Sequence, residues 1–429
     1  MPAPAHNFLD RPALADLQLE RLKALWKEIL PRNRFYAQKF SRAGLPLDGI
    51  QTQSDLARLP FTTKAELLAD LETYPPYGQN LTYSLDRYCR LHQTSGSSGK
   101  PLPWLDTWES WNGLLNCWDS FFEMVGVNRH DRLFFPFSFG PYLGFWTAFE
   151  AAARKGLFCL PGGGMSSSAR LRFLLDHQIT VVLCTPTYAL HLGEVAREEG
   201  INLPESSVRC LIVAGEPGGS IPATRARIEA TWGARLFDHS GLTEVGPVGI
   251  ECPENPAGLH ILETEYWPEV IDPKTERPVQ PDQTGELVLT GFIRWGSPLI
   301  RYRTGDLVKV DGKPCPCGRR WMRLQGGILG RTDDMVHLRG NNFYPSALEN
   351  IIRRFPEITE YRVLIDQTGV LAVLRVEIEP IPSATGHEIA ERVHKMIKDE
   401  LFFRAEVKPV PPGTLPRFEL KARRVAIRK

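Results

Sequence analysis

The segment that decides how this chain is interpreted is Thr94-Ser95-Gly96-Ser97-Ser98-Gly99-Lys100-Pro101. Its glycines and hydroxyl residues form a loop whose backbone N–H groups can turn toward anionic oxygens, and Lys100 adds a positive charge. The common P-loop differs, because it has four residues between its glycines and Ser or Thr after the lysine. Here two residues separate the glycines and Pro101 follows the lysine. Alone, the segment is as typical of a surface turn as of a phosphate site.

Around this segment, short apolar runs alternate with helical patterns. Runs typical of buried strands lie at Arg132–Phe137, Leu157–Leu160, Thr180–Cys184 and Val208–Val213. Helical patterns lie at about Ala13–Leu30 and at Ser167–His177, Ala189–Glu199 and Ala223–Trp232. This alternation predicts an α/β domain with a largely parallel sheet.

The chain changes character toward its C-terminal end. From about Thr264 to Gly330-Arg331 it is rich in strand and turn residues. The remainder predicts a small α+β unit, with strands Arg362–Ile365 and Val370–Ile378, a helix Glu388–Phe402 and an irregular basic tail. We therefore expect two domains. Residues 1–330 would form a large α/β domain with a strand-rich subdomain, and residues 331–429 a small α+β domain.

Composition limits the classes of function. The formal net charge is +1 over 429 residues, so no overall field indicates nucleic acid or an anionic membrane as a partner. Pro2 and Pro4 interrupt any signal-like run, and no apolar stretch is long enough to span a bilayer. The eight cysteines are scattered apart from Cys315-Pro316-Cys317, which makes a poor disulfide framework. We expect a cytoplasmic protein with reduced thiols.

Two further segments carry candidate chemistry beside a plain alternative. In Asp238-His239-Ser240-Gly241-Leu242-Thr243-Glu244, a hydroxyl next to a carboxylate can orient hydrated Mg²⁺ near phosphates. The alternative is an ordinary turn after a strand. In Arg301-Tyr302-Arg303-Thr304-Gly305-Asp306, the carboxylate follows a turn glycine, where it could accept both hydroxyls of a ribose. The alternative is a β-turn with a solvated aspartate.

The last two segments are weaker when taken alone. Gly330-Arg331-Thr332-Asp333-Asp334-Met335 lies where the sequence changes character, so a hinge competes with a plain linker. The run from Leu415 to Arg424 is basic and, by itself, typical of a solvated tail.

Taken together in this order, these segments resemble the adenylate-forming superfamily of acyl-CoA synthetases, peptide-synthetase adenylation domains and luciferases. Within it the chain looks most like the phenylacetate–coenzyme A ligase family. Leu59–Lys64 and Gly215-Glu216-Pro217 add to the resemblance, which spans nearly the whole chain. It implies an acid–thiol ligase that uses ATP and Mg²⁺ to form an acyl-adenylate and then passes the acyl group to coenzyme A. The C-terminal domain would be a mobile lid that turns between the two half-reactions.

The resemblance also implies roles for individual residues. Thr94, Ser95, Gly96, Ser97, Ser98, Gly99 and Lys100 would hold the β- and γ-phosphates of ATP. Gly215, Glu216 and Pro217 would line the adenine, while Thr243 and Glu244 would serve the α-phosphate and Mg²⁺. Asp306 would bind the ribose hydroxyls, with Arg331 close to them. Asp333 would be the hinge, and Lys421 would contact the carboxylate and the α-phosphate during adenylation.

One position departs from the family pattern. The family usually has an aromatic residue directly before the Gly-x-Thr-Glu turn, where it stacks on adenine. Here that residue is Ser240, preceded by His239. Either His239 or another ring supplies the stack, or the nucleotide binds less tightly than usual.

Cys315 and Cys317, followed by a glycine, are typical of a metal knuckle. Two ligands do not make a structural zinc site, which normally has four. Cys252 and His260 offer two more, and the resemblance includes a similar Cys/His and Cys-x-Cys arrangement. We expect Cys252, His260, Cys315 and Cys317 to hold one structural Zn²⁺. The alternative is four reduced loop residues without a metal.

An aromatic run between Phe134 and Trp146 offers a pocket for the acid. Phe137, Phe139 and Tyr142 are the candidates, although core packing explains at least half of the run. An aromatic pocket suits an aryl or arylacetic acid. The sequence leaves open a separate carrier protein or an amine as acceptor, a homodimer, and a nucleotide-binding protein without catalysis. Glu244 and Lys421 together argue against the last of these.

Overall fold

The computed structural model describes residues 5–44, 50–94, 100–338, 341–366, 373–419 and 421–428. The helices in these ranges are α1 Arg11–Ile29, α2 Arg34–Arg42, α3 Gln53–Leu56, α4 Lys64–Thr73, α5 Trp108–Met124, α6 Trp146–Arg154, α7 Ser167–Asp176, α8 Pro186–Glu198, α9 Pro222–Trp232, α10 Pro345–Ile352 and α11 Gly386–Leu401. The strands are β1 Tyr88–Gln93, β2 Pro103–Thr107, β3 Arg132–Phe135, β4 Phe158–Pro161, β5 Val181–Cys184, β6 Cys210–Ala214, β7 Arg235–Leu242, β8 Gly246–Cys252, β9 Asn255–Ile261, β10 Tyr266–Ile271, β11 Thr284–Gly291, β12 Tyr302–Lys309, β13 Arg323–Gln325, β14 Gly330–Arg331, β15 Val336–Leu338, β16 Asn341–Phe343, β17 Ile358–Asp366, β18 Val373–Pro380, β19 Glu406–Pro409 and β20 Val425–Arg428.

Contacts divide the chain into two units. Unit 1 is Met1–Gly163 with His239–Gly327, and unit 2 is Gly164–Asp238 with Ile328–Lys429. The predicted boundary after residue 330 stays a prediction. One division falls close to it, but the contacts also group residues 164–238 with the C-terminal segment.

Unit 1 contains both kinds of strand pairing. β3 and β4 are parallel and are joined by α6, because a parallel pair needs a crossover connection. From His239 onward, β7 leads into an antiparallel set in the order β7, β8, β9 and β13. β10, β11 and β12 form a second antiparallel set. The second set and β13 lie in the region from about Thr264 that the sequence predicted to be rich in strands, whereas β7, β8 and β9 precede it.

Helix α5 supplies much of the core of unit 1. It begins at Trp108 because the Thr107 hydroxyl accepts a hydrogen bond from the Ser110 N–H at 3.2 Å, a typical N-cap. Trp111 and Trp118 lie on one face of the helix and are fully buried. Each aromatic side chain buried in this way contributes roughly 1.5–3 kcal/mol to folding. The helix also packs against strand β8.

Unit 2 combines a parallel pair with a four-strand sheet. β5 and β6 are parallel, and α7, α8 and α9 alternate with them along the chain. The four-strand sheet has the order β19, β18, β17 and β20, with the outer strands parallel to their neighbours. Its apolar core includes Leu348 of α10, Val393 of α11 and Val363 of β17.

The predicted α/β class is confirmed by these elements, and most predicted ends lie within a few residues of the observed ones. The tail needs a correction. It was expected to be irregular throughout, but Val425–Arg428 forms β20 and adds to the edge of β17, where Val425 is opposite Val363. No helix in the described ranges is both long and apolar enough to cross a membrane.

Candidate active site

The turn between β7 and β8 carries two of the predicted catalytic residues. Glu244 is 6% exposed, and it accepts a hydrogen bond from the Tyr302 hydroxyl at 2.8 Å. Tyr302 begins β12, so this bond joins the turn to the second antiparallel set. Thr243 is held through its carbonyl oxygen, to which Arg294 Nη1 donates at 2.6 Å. The turn therefore keeps a carboxylate in a fixed place, and carboxylate oxygens are ligands that suit Mg²⁺.

A buried ion pair that the sequence analysis missed supports this turn. Arg294 Nε and Nη2 donate to the two carboxylate oxygens of Asp106 at 2.7 and 2.5 Å, and the two side chains are 4% and 0% exposed. A bidentate pair fixes the guanidinium plane, which directs Nη1 toward Thr243. The available signal was a charged residue directly after the apolar pair Trp104-Leu105 in strand β2. No motif could name its partner, 188 residues away.

His239 and Ser240 lie near the end of β7, where the base-stacking residue was left open. The His239 ring centroid lies 4.6 Å from that of Trp118 and 5.2 Å from that of Phe121. Burial lowers the His239 pKa to about 4, so the ring is neutral and its Nδ1 can donate to the Gly249 carbonyl, 2.8 Å away. This core environment does not favour His239 as the ring that stacks on adenine. The Ser240 hydroxyl is shielded from solvent and has no hydrogen-bond partner among the described residues.

The predicted ribose ligand, Asp306, lies within β12 and not in an open turn. Gly305 before it has φ of +76°, a left-handed conformation that favours glycine. The register between β11 and β12 shifts opposite this point, between Glu286 and Val288. Asp306 is 8% exposed, so the alternative of a solvated turn residue does not describe it. A local irregularity of this kind re-aims a side chain, and the ribose contact stays a prediction.

The predicted phosphate loop is described only at its two ends. Ser95, Gly96, Ser97, Ser98 and Gly99 lie outside the described residues. Thr94 is buried and closes the loop between β1 and β2, because its N–H donates to the Leu102 carbonyl and its hydroxyl accepts the Leu102 N–H, both at 3.0 Å. Lys100 is exposed, and its Nζ lies 3.1 Å from a carboxylate oxygen of Glu72. The phosphate contacts of this loop stay predictions.

In unit 2, the predicted Gly215–Pro217 segment meets the predicted catalytic lysine. Gly215 follows β6 with φ of +96°, and a methyl group placed on it would lie 3.5 Å from Lys421 Cε. Glu216 accepts hydrogen bonds from the backbone N–H groups of Thr187 and Ala422 at 2.9 and 2.7 Å. Burial raises the pKa of the Glu216 carboxyl group, although these bonds oppose the shift. The structure therefore brings Gly215, Glu216 and Lys421 together.

The predicted hinge segment lies at β14 and in the turn after it. Arg331 Nε is 3.0 Å from Asp333 Oδ1, and the two side chains are 40% and 60% exposed. An exposed pair of this kind contributes little to stability, so it fits a hinge and a linker equally. The hinge role of Asp333 and the ribose contact of Arg331 stay predictions.

The aromatic run before α6 forms a cluster of rings in unit 1. Phe137 and Phe139 have ring centroids 5.1 Å apart and meet edge to face. Phe139 also lies 4.7 Å from Trp146, and Phe137 lies 5.9 Å from Phe145. Tyr142 is 41% exposed, so it is not part of this packed set. The cluster is compatible with a pocket wall and with ordinary core packing.

The four predicted metal ligands come together in unit 1. The ligand atoms of Cys252, His260, Cys315 and Cys317 all lie within 4.8 Å of one another. The Sγ atoms of Cys252 and Cys315 are 3.7 Å apart, and Cys317 Sγ is 3.5 Å from His260 Nε2. Burial opposes ionisation of Cys317, but its hydrogen bond with His260 lowers its pKa to about 5. The four side chains come from the β8–β9 hairpin and from the loop between β12 and β13.

Comparison with known proteins identifies the family of this chain. The model of the AMP-binding enzyme family matches residues 51–293, and the model of the AMP-binding enzyme C-terminal domain matches residues 340–429. The phenylacetate-coenzyme A ligase of Thermus thermophilus is 32% identical over 437 residues, which cover 97% of this chain and 96% of that protein.

Solved structures agree with this relationship. 2-Hydroxyisobutyryl-CoA ligase in the postadenylation state, in complex with R3-HIB-AMP, has a TM-score of 0.93 at 28% identity, covering 99% of this chain and 91% of that chain. That ligase in the thioesterification state, in complex with 2-HIB-AMP and CoA, has a TM-score of 0.75, covering 99% and 92%. The chain therefore belongs to the AMP-binding enzyme family, with a phenylacetate-coenzyme A ligase among its full-length relatives.

Proposed function

We propose that this protein is an AMP-forming acid–thiol ligase that activates a carboxylic acid as an acyl-adenylate and transfers the acyl group to coenzyme A. The observation that carries the proposal is the relationship to a phenylacetate-coenzyme A ligase over nearly the full length of both chains. Two observations are compatible with it: the Glu244 carboxylate is held by Tyr302, and the Lys421 side chain lies beside Gly215.

The first step joins two anions. The acid's carboxylate oxygen attacks the α-phosphorus of ATP, and pyrophosphate leaves with the electrons of the broken P–O bond. Catalysis then depends mostly on positioning and on charge neutralisation. Lys421 would place its ammonium group between the acid's carboxylate and the α-phosphate. Mg²⁺ would neutralise phosphate charge, with Glu244, fixed by Tyr302, as its carboxylate partner.

The second step needs a different arrangement of the same residues. The thiolate of coenzyme A attacks the acyl carbon and AMP leaves, so Lys421 has to withdraw and the thiol has to enter. We propose that Asp333 is the hinge for this change. The solved 2-hydroxyisobutyryl-CoA ligase supports the scheme, since it has been solved in a postadenylation state and in a thioesterification state.

For the acid, we propose an aryl or arylacetic compound. The support is the phenylacetate named for the relative and the ring cluster of Phe137 and Phe139. A short hydroxy acid is the second candidate, because the 2-hydroxyisobutyryl-CoA ligase matches 99% of this chain.

We also propose that Cys252, His260, Cys315 and Cys317 hold one structural Zn²⁺. Tetrahedral zinc with Zn–S bonds of about 2.3 Å needs sulfur atoms about 3.8 Å apart. The observed 3.7 Å between two sulfurs and 3.5 Å between sulfur and nitrogen fit that spacing. All four positions would be filled by protein, so the metal would have no open site for substrate. It would instead tie the β8–β9 hairpin to a loop that follows 63 residues after Cys252.

The acceptor, assembly and location belong to the same proposal. Coenzyme A is the acceptor we favour, and a carrier protein is the alternative that a thiol competition assay would reveal. A homodimer stays an untested expectation, which sedimentation would check. We propose the cytoplasm as the location, because ATP and coenzyme A are both supplied there.

The test is product analysis with a panel of acids. Purified protein is incubated with ATP, Mg²⁺, coenzyme A and one acid from an aryl, arylacetic, short hydroxy or fatty series. The proposal expects AMP, pyrophosphate and an acyl-CoA in equal amounts, with the highest rate for an aryl or arylacetic acid. Formation of ADP and phosphate, or no thioester with any acid, would contradict it.

A further inference from the structure

The Glu216 carboxylate joins two parts of unit 2 that are far apart in the sequence. One oxygen accepts the Thr187 N–H at 2.9 Å, and the other accepts the Ala422 N–H at 2.7 Å. Ala422 directly follows Lys421, the proposed catalytic lysine. The family resemblance placed Glu216 beside adenine, but each of its oxygens bonds to a backbone N–H.

One end of this bridge is anchored on helix α8. Thr187 is the second residue of that helix, and the Thr185 side chain already caps it by accepting the Tyr188 N–H at 3.1 Å. N–H groups in the first turn have no acceptor within their own helix, and the helix dipole favours a negative charge there. Glu216 is therefore fixed by α8 whether or not the C-terminal segment is in place.

The other end holds the peptide next to Lys421. The Lys421 side chain passes over Gly215, where a methyl group would come within 3.5 Å of Cε. Two consecutive residues thus contact neighbouring parts of the tail, because Gly215 lies beside the Lys421 side chain while Glu216 binds the following N–H. Arg424 Nη1 adds a second contact by donating to the Thr187 hydroxyl at 3.0 Å.

A different contact in the same unit serves as a comparison. Glu194 of α8 accepts a hydrogen bond from Arg417 at 3.2 Å, so it also joins α8 to the C-terminal segment. Arg417 keeps a further bond to Glu379 at 2.6 Å, and neither contact lies next to Lys421. Removing Glu194 therefore loosens the tail without touching the peptide that carries the lysine.

We infer that Glu216 is a positioning residue, which holds the peptide after Lys421 and so directs the lysine ammonium group to the reacting carboxylate and α-phosphate in the first step. The inference rests on the proposed function, because it acts through the role proposed for Lys421. It assigns no nucleotide contact to Glu216.

The test measures the two half-reactions separately for Glu216→Gln. A glutamine has one acceptor oxygen, so its amide NH₂ would face one of the two N–H donors. We expect kcat for acid-dependent ATP–pyrophosphate exchange to fall about ten- to a hundredfold, the effect of losing one bond to a charged group. KM for ATP and thioester formation from supplied acyl-adenylate should stay close to wild type. Glu194→Gln, the matched control, should leave the ratio of the two half-reactions unchanged.

Two more variants keep the inference testable. Ala422→Pro removes the N–H donor from the other side of the same bond and should give the same split, even if Glu216→Gln fails to fold. The double variant Glu216→Gln/Lys421→Ala should be no slower than Lys421→Ala, because Glu216 acts through the lysine. The inference would be overturned if the double variant were slower than Lys421→Ala by the same factor by which Glu216→Gln alone is slower than wild type. A Glu216→Gln variant with a raised KM for ATP and an unchanged kcat would also overturn it, because that result indicates contact with the nucleotide.

Two outcomes separate the inference from the proposed function. If wild-type protein shows no acid-dependent exchange, the proposed function and the inference both fail. If wild-type protein shows exchange and Glu216→Gln leaves it intact, the inference alone fails.

Discussion

Asp106→Asn is predicted to destabilise unit 1 strongly. The Asp106 carboxylate is fully buried and takes two hydrogen bonds from Arg294, whose third donor holds Thr243. An amide cannot balance the guanidinium charge, so the variant leaves a buried cation without its counter-ion. Breaking a buried pair by removing one partner costs about 3–5 kcal/mol. That is a large share of the roughly 5–15 kcal/mol by which folded proteins are stable.

The assay is urea unfolding followed by tryptophan fluorescence, which reports mainly on unit 1 because only Trp232 of the ten tryptophans belongs to unit 2. The matched control is Glu109→Gln, which removes the carboxylate of an exposed pair 3.2 Å from Arg87. An exposed pair contributes about 0.2–1 kcal/mol, so the control midpoint should barely move. If Asp106→Asn lowers the midpoint no more than Glu109→Gln does, the Asp106–Arg294 pair does not stabilise unit 1 or its Thr243–Glu244 turn.

Three further predictions follow from other parts of unit 1. Protein purified without chelator should contain about one zinc per chain, and Cys317→Ser should lose it and lower Tm, whereas the exposed Cys89→Ser should do neither. Metal analysis with no zinc would contradict the site. Ser240→Tyr should lower KM for ATP about tenfold in exchange kinetics, since a ring stacked on a base is worth about 1–3 kcal/mol, and an unchanged KM would place adenine elsewhere. Burial lowers the pKa of His239 to about 4. Between about pH 6.5 and 4 the imidazole is therefore protonated in the unfolded state but neutral in the folded state, so the free energy of unfolding falls as the pH falls. Urea midpoints across that range should vary less in His239→Gln than in wild type, while the exposed His130→Gln should behave as wild type does.

The sequence was sufficient for the fold class, the family and the class of enzyme, which the comparisons confirm. Periodic apolar patterns are local, so helices such as α1 and strands such as β5 could be read from them. The metal cluster was also accessible, because cysteine and histidine are rare and Cys315 and Cys317 stand close together. The structure brings Cys252 and His260 to them, although the metal itself stays a proposal.

What the sequence did not provide are contacts whose partners carry no signature. Asp106 and Arg294 are ordinary charged residues until the fold brings them together. The Glu216 bridge uses backbone N–H groups, which every residue except proline offers, so no pattern could select Thr187 and Ala422. β20 is short and flanked by charge, and it forms because β17 offers an edge to pair with. Each of these depends on long-range geometry that no local pattern encodes.

The measurement that tests the central claim most directly is ATP–pyrophosphate exchange without coenzyme A. Labelled pyrophosphate should appear in ATP only when a substrate acid is present, because the reversible step is formation of an acyl-adenylate. Lys421→Ala should lower that exchange by on the order of a hundredfold or more while it still forms thioester from supplied acyl-adenylate. Exchange that needs coenzyme A, that ignores the acid, or that survives intact in Lys421→Ala would contradict the account.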